Sequence, residues 1–143
     1  MTVKQISVFV ENKAGKLAEL TDQLHQHKID MRALSIAETQ DFGIVRLIVD
    51  DVYKTSCVLK ESGYVASITP VVAVEIPDEP GSLFWILKML GDGGVNLDYM
   101  YAFLTPKRST AHMILRVEDN EKAIEILGKN GIHTISQEEI AGL

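Results

Sequence analysis

The sequence predicts an α+β fold: two copies of one β-α-β-β-α-β module in tandem, each an antiparallel sheet with its helices on one face. Three observations predict it. The chain repeats itself, because Val8-Phe9-Val10-Glu11-Asn12-Lys13-Ala14-Gly15-Lys16-Leu17 is echoed 66 positions later by Val74-Glu75-Ile76-Pro77-Asp78-Glu79-Pro80-Gly81-Ser82-Leu83. In both copies period-two alternation and helical spacing follow each other in the same order. A length of 143 residues leaves room for one ordinary domain or two very small ones, and the repeat decides for two, assigned to residues 1–69 and 70–143.

The elements follow in order. Ile6, Val8 and Val10 alternate with Gln5, Ser7 and Phe9, the pattern of a half-buried strand. Leu17, Leu20 and Leu24 then take helical spacing. Residues 31–39 read as a strand and 44–49 as a more hydrophobic one. Residues 52–62 fit a helix with Val52, Thr55 and Leu59 on one face, ended by Gly63. A strand over 64–69 closes the copy, and Pro70 is expected to break the pattern. The second copy gives a strand over 71–76 and a helix carrying Leu83, Ile86, Leu87 and Leu90. Strands over 97–104 and 111–117, a helix near 120–129 and a strand over 132–136 complete it. Ser136-Gln137-Glu138-Glu139-Ile140 is suited to cap one last short turn. Between the second and third strands the repeat offset grows by two. The extra residues fit the turn segment Thr105-Pro106-Lys107-Arg108-Ser109. This order is the ferredoxin-like split βαβ arrangement. A module of about 70 residues buries little alone, so the copies are expected to support each other.

In the third strand of each copy, Val45, Leu47 and Val49, or Met113, Leu115 and Val117, are assigned to the helix-covered face. The opposite face is mixed. Tyr99, Tyr101 and Phe103 share one face of the second copy's second strand. They read first as core and second as an interface or ligand wall.

Composition excludes several classes. Apolar residues at 46% and charged residues at 24% are those of a folded globular chain. Net charge −6 disfavours phosphate-backbone binding, so no nucleic-acid partner is expected. The single cysteine, Cys57, excludes an intrachain disulfide and a cysteine-based zinc site. The longest strongly apolar stretch is too short for a bilayer, and the N-terminus runs straight into a strand pattern. No membrane or secretory role is therefore expected, and the location expected is cytoplasmic. His25 and His27 face different ways on a helix, and His112 and His133 lie on separate strands, so no metal site is assigned. Gly91-Asp92-Gly93-Gly94 follows a helix, which makes it a C-terminal cap. Glu118-Asp119 precedes a helix and suits its dipole. No nucleophile–base pairing and no cofactor motif is present.

The most informative segments are the turns between first strand and first helix, Asn12-Lys13-Ala14-Gly15 and Asp78-Glu79-Pro80-Gly81. Glycine permits a tight turn and close approach. A helix N-terminus offers unpaired N–H groups suited to a carboxylate or phosphate. Asn12 and Asp78 add polar side chains there, and Asp30 and Asn96 match each other at the start of the second strand. Ordinary turn and helix capping is the competing account of all four.

In the second copy, the pattern Asp78-x-Pro80-Gly81-x-Leu83, then Leu90, then Val95-Asn96-Leu97, resembles an ACT domain, and the resemblance covers nearly the whole chain once per copy. The first copy keeps Asn12, Gly15, Leu17, Leu24, Ile29 and Met31, but has Ala14 where the family usually has proline and Asp30 where it often has asparagine. The resemblance implies an amino-acid-sensing regulatory module that takes its ligand at an interface between modules. Carried over position by position, the implied ligand-binding residues are Asn12, Ala14, Gly15 and Asp30 in the first copy, and Asp78, Pro80, Gly81 and Asn96 in the second. The departures imply that at most one site is strong, or that the two differ in ligand.

The leading expectation is thus a non-catalytic amino-acid sensor with no fused effector, acting on a separate enzyme or regulator. Strand edges and the Tyr99–Phe103 stripe point to a homodimer. A small enzyme acting on an anionic substrate through Lys13 or Lys16, and an adaptor with relic ligand sites, are the alternatives.

Overall fold

Strand β1 (Val3–Glu11) opens a computed structural model that describes residues 1–104 and 109–143. It is followed by α1 (Lys16–Gln26), β2 (Met31–Glu38), β3 (Phe42–Val49), α2 (Val52–Glu61) and β4 (Ala66–Pro77). Then come α3 (Ser82–Asp92), β5 (Leu97–Ala102), β6 (Thr110–Val117), α4 (Asn120–Lys129), β7 (His133–Thr134) and α5 (Gln137–Ala141). The expected element order is present in both copies. The turn proposed at 105–109 falls, apart from Ser109, outside the described residues.

One expectation is corrected. Pro70 does not break the chain, because β4 runs through it as a single 12-residue strand. Its first half pairs antiparallel with β1, from Ala66 opposite Val8 to Val71 opposite Val3. Its second half pairs with β6, from Val72 opposite Leu115 to Pro77 opposite Thr110, and briefly with β7. The division placed between residues 69 and 70 falls inside this strand. The two sheets are therefore joined in the order β2-β3-β1-β4-β6-β5, with β7 on β4. Proline fits because its carbonyl accepts from Asn120 Nδ2 at 3.2 Å, on the side away from β1. N–H and C=O of one residue point the same way in a strand, so the missing donor removes no ladder bond.

The joined sheet curls until its ends meet. Ala33, in β2, bridges Phe103 just beyond β5, and the Leu104 N–H donates to the Arg32 carbonyl at 2.8 Å. Helices α1 to α4 lie outside. Val45, Leu47 and Val49 pack with Ile6, Val8, Leu20, Leu24 and Leu59 under α1 and α2. Leu115 and Val117 pack with Ile86, Leu90 and Leu127 under α3 and α4, with Met113 beside them. The remaining face of each module meets the other: Val3, Ala33, Ile48 and Val71 bury against Ala73, Tyr101, Phe103 and Ile114, and Ile140 of α5 completes this inner core. Tyr101 and Phe103 are thus core, with Tyr99 packed partly buried beside them. The edges of β2 and β5 touch at Ala33 and Phe103.

Gln5 was expected on a solvated face. It is fully buried instead, because the second module covers it. Its Oε1 accepts from Tyr101 Oη at 2.6 Å and its Nε2 donates to Tyr99 Oη at 2.7 Å. The Arg46 guanidinium lies 3.8 Å over the Tyr99 ring, adding a cation–π contact.

The ends of α1 and α3 show how closely the repeat is kept. Ile29 N–H closes on the Leu24 carbonyl and Val95 N–H on the Leu90 carbonyl, each at 2.9 Å. The residue in left-handed conformation beyond α3 is Gly94, at φ 76°, but beyond α1 it is Lys28, at φ 55°. A side chain in that region costs about 1–2 kcal/mol, offset by glycine's greater chain entropy of roughly 0.5–1 kcal/mol. Lys28→Gly is therefore expected to stabilise the fold by up to about 1 kcal/mol, read as a rise of a few degrees in thermal midpoint.

Candidate functional site

The two glycine turns superimpose in detail. Gly15 (φ 85°, ψ −15°) and Gly81 (φ 93°, ψ −16°) both stand in the left-handed region immediately before α1 and α3. In each, the first helical N–H returns to the turn: Lys16 to the Lys13 carbonyl at 3.2 Å, Ser82 to the Glu79 carbonyl at 3.3 Å. The next turn begins with Glu19 N–H on the Gly15 carbonyl and Trp85 N–H on the Gly81 carbonyl. No side chain caps either helix. The other three helices among the described residues are capped, by Asp51, Asp119 and Ser136. A glycine N-cap brings no acceptor oxygen of its own, so the leading amides of α1 and α3 face outward with the positive end of the helix dipole behind them.

The polar candidates are placed differently. Asn12 ties its turn to the β2–β3 hairpin: its Nδ2 donates to the Thr39 carbonyl at 3.0 Å and its N–H to the Asp41 carbonyl at 3.0 Å. Asp78 holds its turn through its N–H, which donates to the Ser109 carbonyl at 3.0 Å. Ala14 and Pro80 are exposed turn residues. Asp30 lies at the far end of α1 from Gly15, a separation of roughly 16 Å for 11 residues. Its carboxylate pairs with Arg32 Nη1 at 2.6 Å, and Arg32 Nη2 donates to the Ala141 carbonyl. Asn96 stands likewise at the far end of α3, with Nδ2 donating to Asp98 Oδ1 at 3.1 Å. The carbonyls of Asp30 and Asn96 do the same work in both copies, accepting from Asp50 and Glu118 N–H groups. Within one module the geometry thus gathers Asn12, Ala14 and Gly15, or Asp78, Pro80 and Gly81, but leaves Asp30 and Asn96 at the opposite end of the sheet.

The surroundings of the two turns differ in charge and shape. Beside the first, a cleft of about 120 Å³ is lined by Asn12, Lys13, Leu17, Ile36 and neighbours. The Lys13 ammonium lies 3.0 Å from the Glu11 carboxylate and holds that carboxyl below its ordinary range, first by hydrogen bonding and then by its charge. Lys16 pairs with Glu19 at 3.5 Å. Both ion pairs are solvent-exposed, so each is weak and leaves its lysine within reach of an anion. The second turn carries Asp78 and Glu79 instead, and the Trp85 indole stands 4.0 Å from where a Cβ on Gly81 would lie. Trp85 and the cleft residue Ile36 were not singled out from sequence, and Leu17 was named only for its helical spacing and its match to the family pattern. The structure shows all three as exposed apolar side chains, a state the sequence alone does not reveal.

Among the described residues no three His, Cys, Asp or Glu side chains are grouped to hold a metal ion, and no helix is long and apolar enough to cross a membrane.

The chain matches the family model described as ACT domain pair over residues 1–143. A crystal structure of a Bacteroides thetaiotaomicron protein is 37% identical, with 100% of this chain and 98% of that chain covered and a TM-score of 0.93. The ligand-free regulatory subunit of aspartate kinase from Thermus thermophilus shares the fold at 15% identity, TM-score 0.65, over 88% of this chain and 90% of that one. The corresponding Thermus flavus subunit does so at 14% identity, TM-score 0.61, over the same shares. No curated protein matches. By the match over its whole length, and by a fold that doubles the βαββαβ module around two glycine turns, the chain belongs to the ACT domain pair family.

Proposed function

We propose that the chain is a non-catalytic regulatory protein that binds an amino acid at its glycine turns and passes the effect to a separate partner protein. The observation that carries the reading is the matched pair of helix N-termini, at Gly15 and Gly81, left without side-chain caps while every other helix among the described residues has one. Such amides receive a carboxylate well. The ammonium of the same ligand finds Asp78 or Glu79 at the second turn, and Asp30 or Asn96 when another module or chain presents its far end. A protein of the same fold is the regulatory subunit of a Thermus thermophilus aspartate kinase, which supports a regulatory output.

The charge contrast between the turns makes them differ in ligand: lysines beside the first favour the carboxylate, and acidic groups beside the second favour the ammonium. Exposed Phe9, Phe42, Phe84 and Trp85 give a second copy apolar surface, so a homodimer belongs to the reading. Calorimetric titration with the standard amino acids tests it. At least one is expected to bind, and Gly15→Val or Gly81→Val is expected to weaken it tenfold or more by filling the approach and straining the turn. Absence of binding by all of them, with the protein folded, overturns the reading.

A further inference from the structure

Helix α3 departs from the repeat on its outward face. Ile86 and Leu90 are buried, as Leu20 and Leu24 are in α1. On the other side, Ala18, Glu19, Asp22 and His25 give α1 an ordinary solvated surface. The residues 66 positions later are Phe84, Trp85, Lys88 and Gly91. Phe84 and Trp85 are 57% and 60% exposed, and their rings meet edge-to-face at 5.1 Å.

Gly91 is unusual for a second reason. Glycine inside a helix is unfavourable unless packing or backbone geometry requires it. Gly93 is required because a Cβ there would run into the Ile126 side chain, and Gly94 because of its φ of 76°. A Cβ on Gly91 would meet nothing within 4 Å, so nothing in its own chain calls for glycine. Phe84, Lys88 and Gly91 stand at i, i+4 and i+7 and form one ridge along the outside of α3. The ridge has a ring near one end and bare backbone near the other. Two such ridges are complementary when they run antiparallel.

We propose that α3 packs antiparallel on α3 of a second copy, about a two-fold axis between Leu87 and Lys88. Each Phe84 ring seats on the Gly91 backbone of the other chain, and each Lys88 ammonium lies against the other chain's aromatic pair. A two-fold contact uses one surface twice, which this ridge satisfies. The surrounding charge disfavours an anionic bilayer as occupant: Lys88 is the only basic side chain of α3, and Asp78, Glu79 and Asp92 lie at its ends. The exposed parts of the two rings amount to roughly 200 Å² per chain, about a quarter of what each partner buries in a standard interface. With the flanks of α3 added the contact is still small, so the dimer is expected to dissociate in the micromolar range. The proposal rests on the homodimer of the preceding reading and not on its ligand.

Sedimentation velocity of the full chain without amino acids, from micromolar to submillimolar concentration, tests it. A shift from monomer to dimer is expected. Phe84→Ala and Trp85→Glu install the residues that α1 carries at those places. Each is expected to weaken the dimer tenfold or more, with the fold retained by circular dichroism. Gly91→Leu is expected to raise the thermal midpoint, because the helix gains, and yet to weaken the dimer tenfold or more. Combined with Phe84→Ala its loss is expected not to add, since the ring it obstructs is gone. A monomer at every concentration overturns the proposal and the homodimer with it, while amino-acid binding stands or falls by its own titration. A dimer that survives Trp85→Glu and Gly91→Leu but not Phe42→Ser keeps the homodimer and overturns α3 as its seat. Dimerisation weakened by Phe84→Ala but not by Gly91→Leu overturns the antiparallel pairing. Binding to phosphatidylserine vesicles in place of dimerisation, lost in Trp85→Glu, overturns it as well.

Discussion

Gln5→Ala is expected to lower the stability of the folded chain by about 2–4 kcal/mol, measured by urea denaturation. Two costs combine. The Tyr101 hydroxyl, in the inner core, loses the acceptor at 2.6 Å and is left unmet, at roughly 1–3 kcal/mol. The vacated volume adds a cavity that the strands above and below cannot fully close. The hydrogen bond separates from the volume in a double-mutant cycle. Gln5→Leu alone keeps the penalty on Tyr101, whereas Gln5→Leu with Tyr101→Phe removes both partners and is expected to recover most of the loss. Tyr99 is only half-buried, so water can replace Gln5 at its hydroxyl.

The same tyrosine gives a pH signature. Burial raises the Tyr101 hydroxyl pKa above the ordinary value of 10, and the neighbouring Tyr99 raises it further, against a smaller opposing effect of Arg46. The folded state thus holds the proton more tightly than the unfolded chain. The associated stability is fully present below about pH 10 and is lost as pH rises above it. Wild type is expected to lose stability more steeply above pH 10 than Tyr101→Phe. Parallel pH profiles for the two would refute this account of the inner core.

Gln5 also marks where sequence reasoning stops. Period-two alternation marked Ile6, Val8 and Val10 as one face of a half-buried strand, and that face is buried under the helices because its core is built from neighbours within one module. The opposite face of β1 looked solvated for the same reason: nothing local says that a second sheet will cover it. The partner face arrives about 95 residues later, through Tyr99 and Tyr101, and a polar residue buried by non-local packing has the same local pattern as an exposed one. Pro70 misled in the opposite direction. It is a strand breaker where its N–H is needed, but at the handover between β1 and β6 that side of the strand makes no ladder bond.

The glycine turns were legible because left-handed backbone at a helix start demands glycine twice, at matched positions. The roles of Asn12, Asp30 and Asn96 were not, since a polar side chain reads identically whether it meets a ligand or a neighbouring residue. In the folded chain Thr39, Arg32 and Asp98 are those neighbours.

Ile140→Ala is expected to cost about 2–5 kcal/mol, the range for removing a fully buried isoleucine side chain. The effect is expected to spread beyond the site, because Ile140 is what makes α5 a helix at all. Five residues cannot sustain a helix alone in water. Besides Ile140, α5 is held by the reciprocal cap between Ser136 and Glu139, by Lys4 N–H on Gln137 Oε1 at 2.8 Å, and by Arg32 on the Ala141 carbonyl. These contacts are largely exposed, and a cap alone is worth about 1 kcal/mol. Without the isoleucine anchor, α5 is expected to detach, uncovering Ile135 and His112. Hydrogen exchange distinguishes this from a local cavity: amides over 137–141 should lose protection in Ile140→Ala, whereas Ser136→Ala should loosen them only partly. Acid should act in the same direction. The Ser136 N–H and then His133 hold the Glu139 carboxyl below its ordinary value. Its contribution is therefore complete above the unfolded carboxyl range near 4.3 and is lost as pH falls through the lower folded value. If α5 stays protected in Ile140→Ala, the anchor lies in the polar contacts instead, and the inner core closes without its last residue.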